Sequence, residues 1–313
     1  MKSDCIPASS SRTGTVTQHA RNVSIERSAR SVLVNSSIAL VEDWATHEVP
    51  LTRSAEDYSP KTQICFPYRG VFIWHVGGQD IVGDANQILF VPSGEAFRLT
   101  QLQRDGCGEL IVTPRPDVVA ELVGNVERPC VHPLFRRRSR RADPMVQRAS
   151  AHFRQMVRAG ELDELAADEL LLELVVSALQ GRHGDEGLHP GTRRLVDRAK
   201  TFLAANWNST VRLKEIAFAV GASAAYLTDA FRRAEGVPLH GYVVQLRLAR
   251  ALVDIPHSTD LTELALGLGF SSHSHFTAAF RKSFGCTPSD FRQSTRKAIA
   301  HYKTVAASPI ETF

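Results

Sequence analysis

Two stretches in the C-terminal third of the chain repeat one another. They are Leu213-Lys-Glu-Ile-Ala-Phe-Ala-Val-Gly221 and Leu261-Thr-Glu-Leu-Ala-Leu-Gly-Leu-Gly269. Each sets apolar residues at i, i+3, i+4 and i+7: Leu213, Ile216, Ala217 and Val220, then Leu261, Leu264, Ala265 and Leu268. That spacing lays one buried stripe along a helix. The glycine that follows suits a left-handed residue that stops the helix. A short turn and a second helix come next, the latter with a large apolar pair four apart: Leu227/Phe231 and Phe276/Phe280. Small Ala217 and Ala265 let the two helices approach closely. Downstream, Phe231-Arg-Arg-Ala-Glu-Gly236 parallels Phe280-Arg-Lys-Ser-Phe-Gly285, and Tyr242 parallels Phe291. The Phe, Gly and aromatic landmarks are all offset by 49 residues. One such pattern fits a plain helical hairpin. Two in tandem, each followed by basic residues, predict two helix-turn-helix units.

The flanks agree. Asp260 and Glu263 form a capping-box pattern ahead of the second unit. In the first, Arg212 stands in the equivalent region, so Ser209 or Thr210 is expected to cap. Pro238 suits the first turn of a connecting helix, and Pro256 lies just past its end. Leu195, Ala199, Phe202 and Leu203 mark a supporting helix before the first unit.

Charge separates the chain into two parts. The net charge is +4, yet from residue 190 onward 16 Lys and Arg face 9 Asp and Glu, while the remainder is slightly acidic. A basic C-terminal segment points to a polyanion partner for that segment. Five cysteines (Cys5, Cys65, Cys107, Cys130, Cys286) are odd in number and form no CxxC pair, which argues against a disulfide framework or zinc site and fits a reducing compartment. No apolar run is long enough to span a membrane, and no signal peptide is read at the N-terminus. A cytoplasmic location follows as the expectation.

Residues 1–30 are polar and expected to be a disordered tail. From about 31 to 115 short apolar runs alternate with Gly, Pro, Asp and Asn, as in a small barrel or sandwich. Helical spacing begins near 144 and continues to about 182, with Leu165, Leu172, Val176 and Leu179 on one face of the later helix. This stripe is the candidate dimer surface; packing on the barrel is the other reading. Residues 183–191 read as a linker, 192–297 as the helical domain and 298–313 as a tail. The fold class is therefore α+β in two domains. Arg136-Arg-Arg-Ser-Arg-Arg141 invites a nucleic-acid role, but a solvated entry to the 144–159 helix is the preferred reading.

The stretch Gly269-Phe-Ser-Ser-His-Ser-His-Phe-Thr-Ala-Ala-Phe-Arg-Lys-Ser-Phe-Gly-Cys-Thr-Pro-Ser-Asp-Phe-Arg292 closely resembles the signature of the AraC/XylS family of transcription regulators. The resemblance covers about 192–294. More loosely, Gly70 to Phe97 is similar to the cupin-type sensor domain of many such regulators. The resemblance implies a two-lobed DNA-binding domain with one recognition helix per lobe, entering successive major-groove faces about one turn, roughly 34 Å, apart. It also implies activation through RNA polymerase in many members, and an N-terminal domain that binds a small-molecule effector, dimerises, or both.

On the first recognition helix, Ala224, Ala225, Thr228 and Asp229 are expected to face the groove opposite Leu227 and Phe231. Aspartate departs from the long polar residue common there; it accepts from a cytosine amino group or pairs with an arginine. On the second, His273, Ser274, His275, Thr277 and Ala278 face outward, for base edges or a thymine methyl. Arg232, Arg233, Arg281 and Lys282 are candidate phosphate contacts, and Ser271 and Ser272 candidate caps that aim amides at a phosphate.

Cupin enzymes hold a metal through an HxH pair with a Glu and a further His. Residues 70–113 contain only His75, so no metal, cofactor or enzymatic activity is expected. Phe72, Trp74, Phe90 and Phe97 are candidate effector-pocket walls, with core packing as the alternative. Cys65 and Cys107 are considered as oxidant sensors. Two other readings remain open: a barrel that serves only dimerisation or protein docking, and a barrel enzyme fused to a DNA-binding domain.

Overall fold

The computed structural model describes residues 28–47, 51–123, 138–180 and 188–295. Two antiparallel sheets form the N-terminal domain. The larger runs, in spatial order, β1 (Ser28–Asn35), β2 (Ala39–Thr46), β9 (Gly108–Pro114), β4 (Gln63–Arg69), β7 (Gln87–Val91) and β10 (Ser139–Arg141). The smaller runs β3 (Asp57–Tyr58), β8 (Ala96–Gln101), β5 (Phe72–Val76) and β6 (Gln79–Gly83). Strand alternation splits the larger sheet into two faces. Cys65, Leu89, Val91, Cys107 and Ile111 meet Phe72, Trp74, Val76 and Ile81 between the sheets. Ile64, Phe66, Ile88, Phe90, Leu110 and Val112 face the opposite way, beneath helices. Phe90 is therefore not a wall of the barrel interior, because it has the parity of Ile88.

Those helices are α1 (Pro116–Val123), α2 (Pro144–Ala159) and α3 (Glu164–Gln180). Asp143 caps α2 by accepting from the Met145 N–H at 2.8 Å, and Gly160 ends it at φ 69°. Helix α3 carries apolar residues on more than one side between its acidic ones, so its sequence allows more than one stripe. The buried one is Leu171, Leu174, Val175, Ala178 and Leu179. Leu179 thus belongs to the core, whereas Leu165 and Leu172 are exposed and Val176 is half-buried.

The C-terminal domain contains α4 (Pro190–Ala205), α5 (Leu213–Val220), α6 (Ala224–Glu235), α7 (Leu239–Asp254), a 3-10 turn (Ile255–His257), α8 (Leu261–Gly267) and α9 (His273–Phe284). Residues 288–295 are also helical. Each repeat owns a core on its side of α7: Ile216, Val220, Leu227 and Phe231 with Tyr242, and Leu261, Leu268, Phe276 and Phe280 with Phe291. The sequence offset reappears as packing: Phe231 and Tyr242 meet edge-on at 5.3 Å, and Phe280 and Phe291 lie 5.9 Å apart.

Several boundaries move. Strand β1 starts at Ser28, inside the stretch expected to be a tail. Helix α4 starts at Pro190, inside the expected linker, with the His189 ring accepting from the Gly191 N–H at 3.2 Å. Residues 1–27, the linker segment 183–187 and the tail 298–313 lie outside the described residues. Neither Ser209 nor Thr210 caps α5. Arg212 occupies the cap position, and the Glu215 carboxylate accepts from its backbone N–H at 2.9 Å. The arginine run is not a solvated entry: its Ser139–Arg141 part adds a strand, Arg138 pairs with Glu95 at 2.7 Å, and buried Arg140 donates to the Ser177 carbonyl. Arg136 and Arg137 lie outside the described residues.

Candidate nucleic-acid interface

Helices α6 and α9 are built alike. Ser223 starts α6 by accepting from the Tyr226 N–H at 3.2 Å, and Ser272 starts α9 by accepting from the His275 N–H at 3.1 Å. Each hydroxyl satisfies an amide the helix leaves unpaired. Gly236 and Gly285, at φ 69° and 76°, end the two helices in the left-handed region. Leu227, Ala230 and Phe231 pin α6 to its lobe; Phe276, Phe280 and Phe284 pin α9. With one face fixed, the other is presented outward. It carries Ala225, Tyr226, Asp229, Arg232 and Arg233 on α6, and Ser274, His275, Ala278, Arg281 and Lys282 on α9. Ser271 and Ser272 are exposed at the entrance to α9.

Four residues expected to face the groove are less available, beginning with Ala224, which is half-buried against the core of its lobe. Thr228 is half-buried and its hydroxyl donates back to the Ala224 carbonyl at 2.8 Å, the local bond threonine makes inside helices. His273 is half-buried. Thr277 is half-buried as well, and its hydroxyl oxygen lies below the surface with no hydrogen-bond partner. It sits one residue from Phe276, too close to the buried face to reach a groove in this rotamer. Ser271 is engaged with the Nδ1 of His275 at 3.0 Å. Asp229 is paired with Arg233 one turn later. Both are more than half exposed, so a surface pair of this kind is worth little and exchanges readily for a phosphate or a base.

Two residues gain their roles only from the structure. Tyr226 is 47% exposed at the first turn of α6, with its hydroxyl 3.2 Å from that of Thr192 on α4. The repeat offset, which pairs it with His275, would have found it. Arg247 on α7 donates to the carbonyls of Trp207 (2.7 Å), Ser209 (2.9 Å) and Gly269 (2.6 Å). It thereby ties the end of the first lobe's support to the turn of the second, and burial lowers its pKa. A Cβ at Gly269 (φ 81°) would lie 2.9 Å from the Arg247 guanidinium and 2.7 Å from the Asn208 carbonyl, so the turn glycine also makes room for this bridge.

In the barrel, Phe72 and Trp74 are fully buried and help fill the interior, with Phe97 edge-on to Trp74 at 6.2 Å. Phe97 also borders a cleft of about 390 Å³, shared with Arg53, Glu56, His75 and Arg98. His75 is held by Asp80 (2.6 Å) and Thr100 (2.8 Å). Cys65 and Cys107 are buried, and burial pushes the Cys65 thiol well up and that of Cys107 to about 12. Neither has the exposed thiolate an oxidant sensor needs. Burial also raises Glu109 to about 8. Among the described residues no three His, Cys, Asp or Glu side chains cluster as metal ligands would, and no helix is long and apolar enough to cross a membrane.

A family model described as an AraC-like ligand binding domain matches residues 49–175, and one described as a helix-turn-helix domain matches residues 216–294. The chain is 29% identical over 141 residues to the Msm operon regulatory protein of Streptococcus mutans, covering 44% of this chain and 48% of that one. It is 25% identical over 236 residues to the HTH-type transcriptional regulator ExsA of Pseudomonas aeruginosa, covering 74% and 77%. The thermoregulatory protein LcrF of Yersinia pestis is 25% identical over 212 residues, covering 66% and 72%. The match thus spans about half the length of the first relative and about three quarters of the other two. A match to an AraC-like ligand binding domain stands ahead of a match to a helix-turn-helix domain, and this chain is similar to AraC-type transcription regulators.

Proposed function

We propose that the chain is a sequence-specific activator that responds to a small molecule bound by its N-terminal domain. The supporting observation is the matched pair α6 and α9: apolar anchors inward, polar and basic residues outward, in two lobes joined by α7. Each helix enters a major groove on the same side of the duplex, about one turn apart. Ala225, Asp229, Ser274, His275 and Ala278 read base edges, with Tyr226 beside them, while Arg232, Arg233, Arg281, Lys282 and the Ser271–Ser272 turn hold phosphates. Exposed Leu165 and Leu172, with Val176, form the surface for a second copy, and the DNA-bound chain contacts RNA polymerase in the cytoplasm.

Footprinting of the purified full chain on its own upstream region, with and without candidate ligands, tests this. Two protected patches one helical turn apart are expected, changing with one ligand class. A single patch or none overturns the two-helix reading. The packed interior around Phe72 and Trp74 favours a second reading, an effector-independent regulator; a footprint indifferent to every ligand would select it.

A further inference from the structure

The N-terminal domain grips the far ends of both recognition helices. The turn between β6 and β7 is buried against the helical domain. There the Asp84 carboxylate accepts from the Tyr242 hydroxyl at 2.7 Å, and the Asn86 amide donates to the Tyr242 carbonyl at 3.0 Å. Gln87, the first residue of β7, donates to the Glu235 carboxylate at 3.2 Å, and the other oxygen of Glu235 meets Lys200 at 3.2 Å. Glu235 is the last residue of α6. On α2, Arg148 donates to the carbonyl of Phe284 at 2.6 Å, and Phe284 is the last residue of α9.

The two grips share one frame. Gln147, beside Arg148, donates to the Asn86 side chain at 3.1 Å and to the Ala85 carbonyl, and accepts from Gln245 of α7. Gln155, on the same helix, donates to the Leu252 carbonyl at 3.0 Å and accepts from the Thr295 hydroxyl at 3.0 Å. Each contact also answers a local need. The last carbonyls of a helix lack intrahelical partners and carry partial negative charge, which Arg148 offsets at α9. Glu235 opposes the dipole of α6 and is buried, so it requires Lys200 and the Gln87 amide.

We infer that Gln87 and Arg148 are positioning residues for DNA recognition: neither lies on the exposed faces of α6 and α9, yet together they fix the separation of those helices from the sensor side. The inference rests on the reading that both helices engage DNA at once. Two elements that must meet one duplex at a set spacing bind more tightly when the spacing is preorganised. Freeing one end therefore weakens binding while leaving every DNA-facing side chain in place.

The test uses the full chain and a long random-sequence duplex, with affinity measured across a salt series. Arg148→Ala is expected to weaken binding about tenfold through the lost preorganisation. It is also expected to flatten the slope of log affinity against log salt by about 2, as Arg281 and Lys282 cease to engage together with the first lobe. Gln87→Ala acts in the same direction through α6. Arg148→Lys, which keeps a cationic donor, binds like the parent. Thermal melts verify that each variant is folded; should Arg148→Ala fail to fold, Gln87→Ala carries the test alone. Parental affinity and slope in the folded variants, or tighter binding, would overturn the inference. If Arg281→Ala leaves the parent's slope unchanged, the DNA-facing assignment of α9 fails instead.

Discussion

Replacing Lys200 with methionine probes the charged centre of the domain interface. Lys200 is 3% exposed, its Nζ lies 3.2 Å from Glu235, and the wholly buried Asp84 stands close enough to act on it. Burial alone would lower its pKa, but Glu235, Asp197 and Asp84 outweigh burial and the net shift is upward. At that separation the attraction to Glu235 is about 5 kcal/mol for an effective dielectric of about 20. Methionine has a similar length, so little cavity opens; the loss comes from leaving a carboxylate buried without its cation. Removing one partner of a buried pair costs about 3–5 kcal/mol, and Lys200→Met is expected near the lower figure because Gln87 still donates to Glu235. Lys200→Met with Glu235→Gln removes both charges of the pair and should recover most of the loss, the remainder coming from buried Asp84, which also loses its nearby cation. A lysine whose pKa is raised on folding contributes stability fully present below its unfolded value, about 10.4, and lost as pH rises through the folded value. The deficit of the single variant should therefore persist across neutral pH and shrink only in alkali. Urea unfolding followed by tryptophan fluorescence, to which Trp207 beside the interface and Trp44 and Trp74 in the barrel contribute, reads the effect, and calorimetry should show one transition splitting into two. A loss below about 1 kcal/mol, or no recovery in the double variant, would refute the account of a dry, mutually dependent ion pair.

The remaining predictions concern the barrel, the second lobe and the DNA face. Glu109 is held protonated to about pH 8 when folded against an ordinary 4.5, so the folded state binds the extra proton and stability falls as pH rises between those values. Glu109→Gln should flatten that decline and raise stability near its upper end, by at most about 5 kcal/mol for a shift of this size, measured by urea titration at several pH values. Phe280 is fully buried among Phe276, Phe284 and Phe291, and Phe280→Ala should cost about 3–5 kcal/mol in chemical denaturation. In binding assays, Arg281→Ala should weaken all sequences alike and reduce the salt slope by about 1, whereas Ser274→Ala should relax preference at one base position. Thr277→Ala, which removes a buried unpartnered hydroxyl, should leave sequence preference unchanged; altered preference would mean that the side chain turns outward on DNA.

The paired helix-turn-helix units were legible because every signal that defines them is local. The 3.6-residue period, the glycine stops at Gly221 and Gly269, and the serine cap at Ser272 each act within one or two turns of backbone, whereas the equivalent cap at Ser223 emerged only from the structure. The strand-rich N-terminal half was legible for the same reason, from short apolar runs cut by turn residues. Side-chain direction was less so. Phe90 reads as well for either face of its sheet, and only the register of β7 against β4 assigns it to the helical side. Helix α3 offers two apolar stripes, and packing against the larger sheet and α2 in one core selects Leu171, Leu174 and Leu179 over Leu165 and Leu172.

The order of residues by itself determined that two similar helices would each bury aromatic or aliphatic anchors and turn a polar, basic face to solvent, since helical spacing forces that separation. Tertiary structure alone decided what holds their far ends. Tyr242 meets Asp84, Glu235 meets Gln87, and Phe284 meets Arg148 across more than a hundred residues of chain. Such contacts leave no periodic trace, because a single hydrogen bond between distant segments depends on how whole domains pack rather than on any repeat along the backbone.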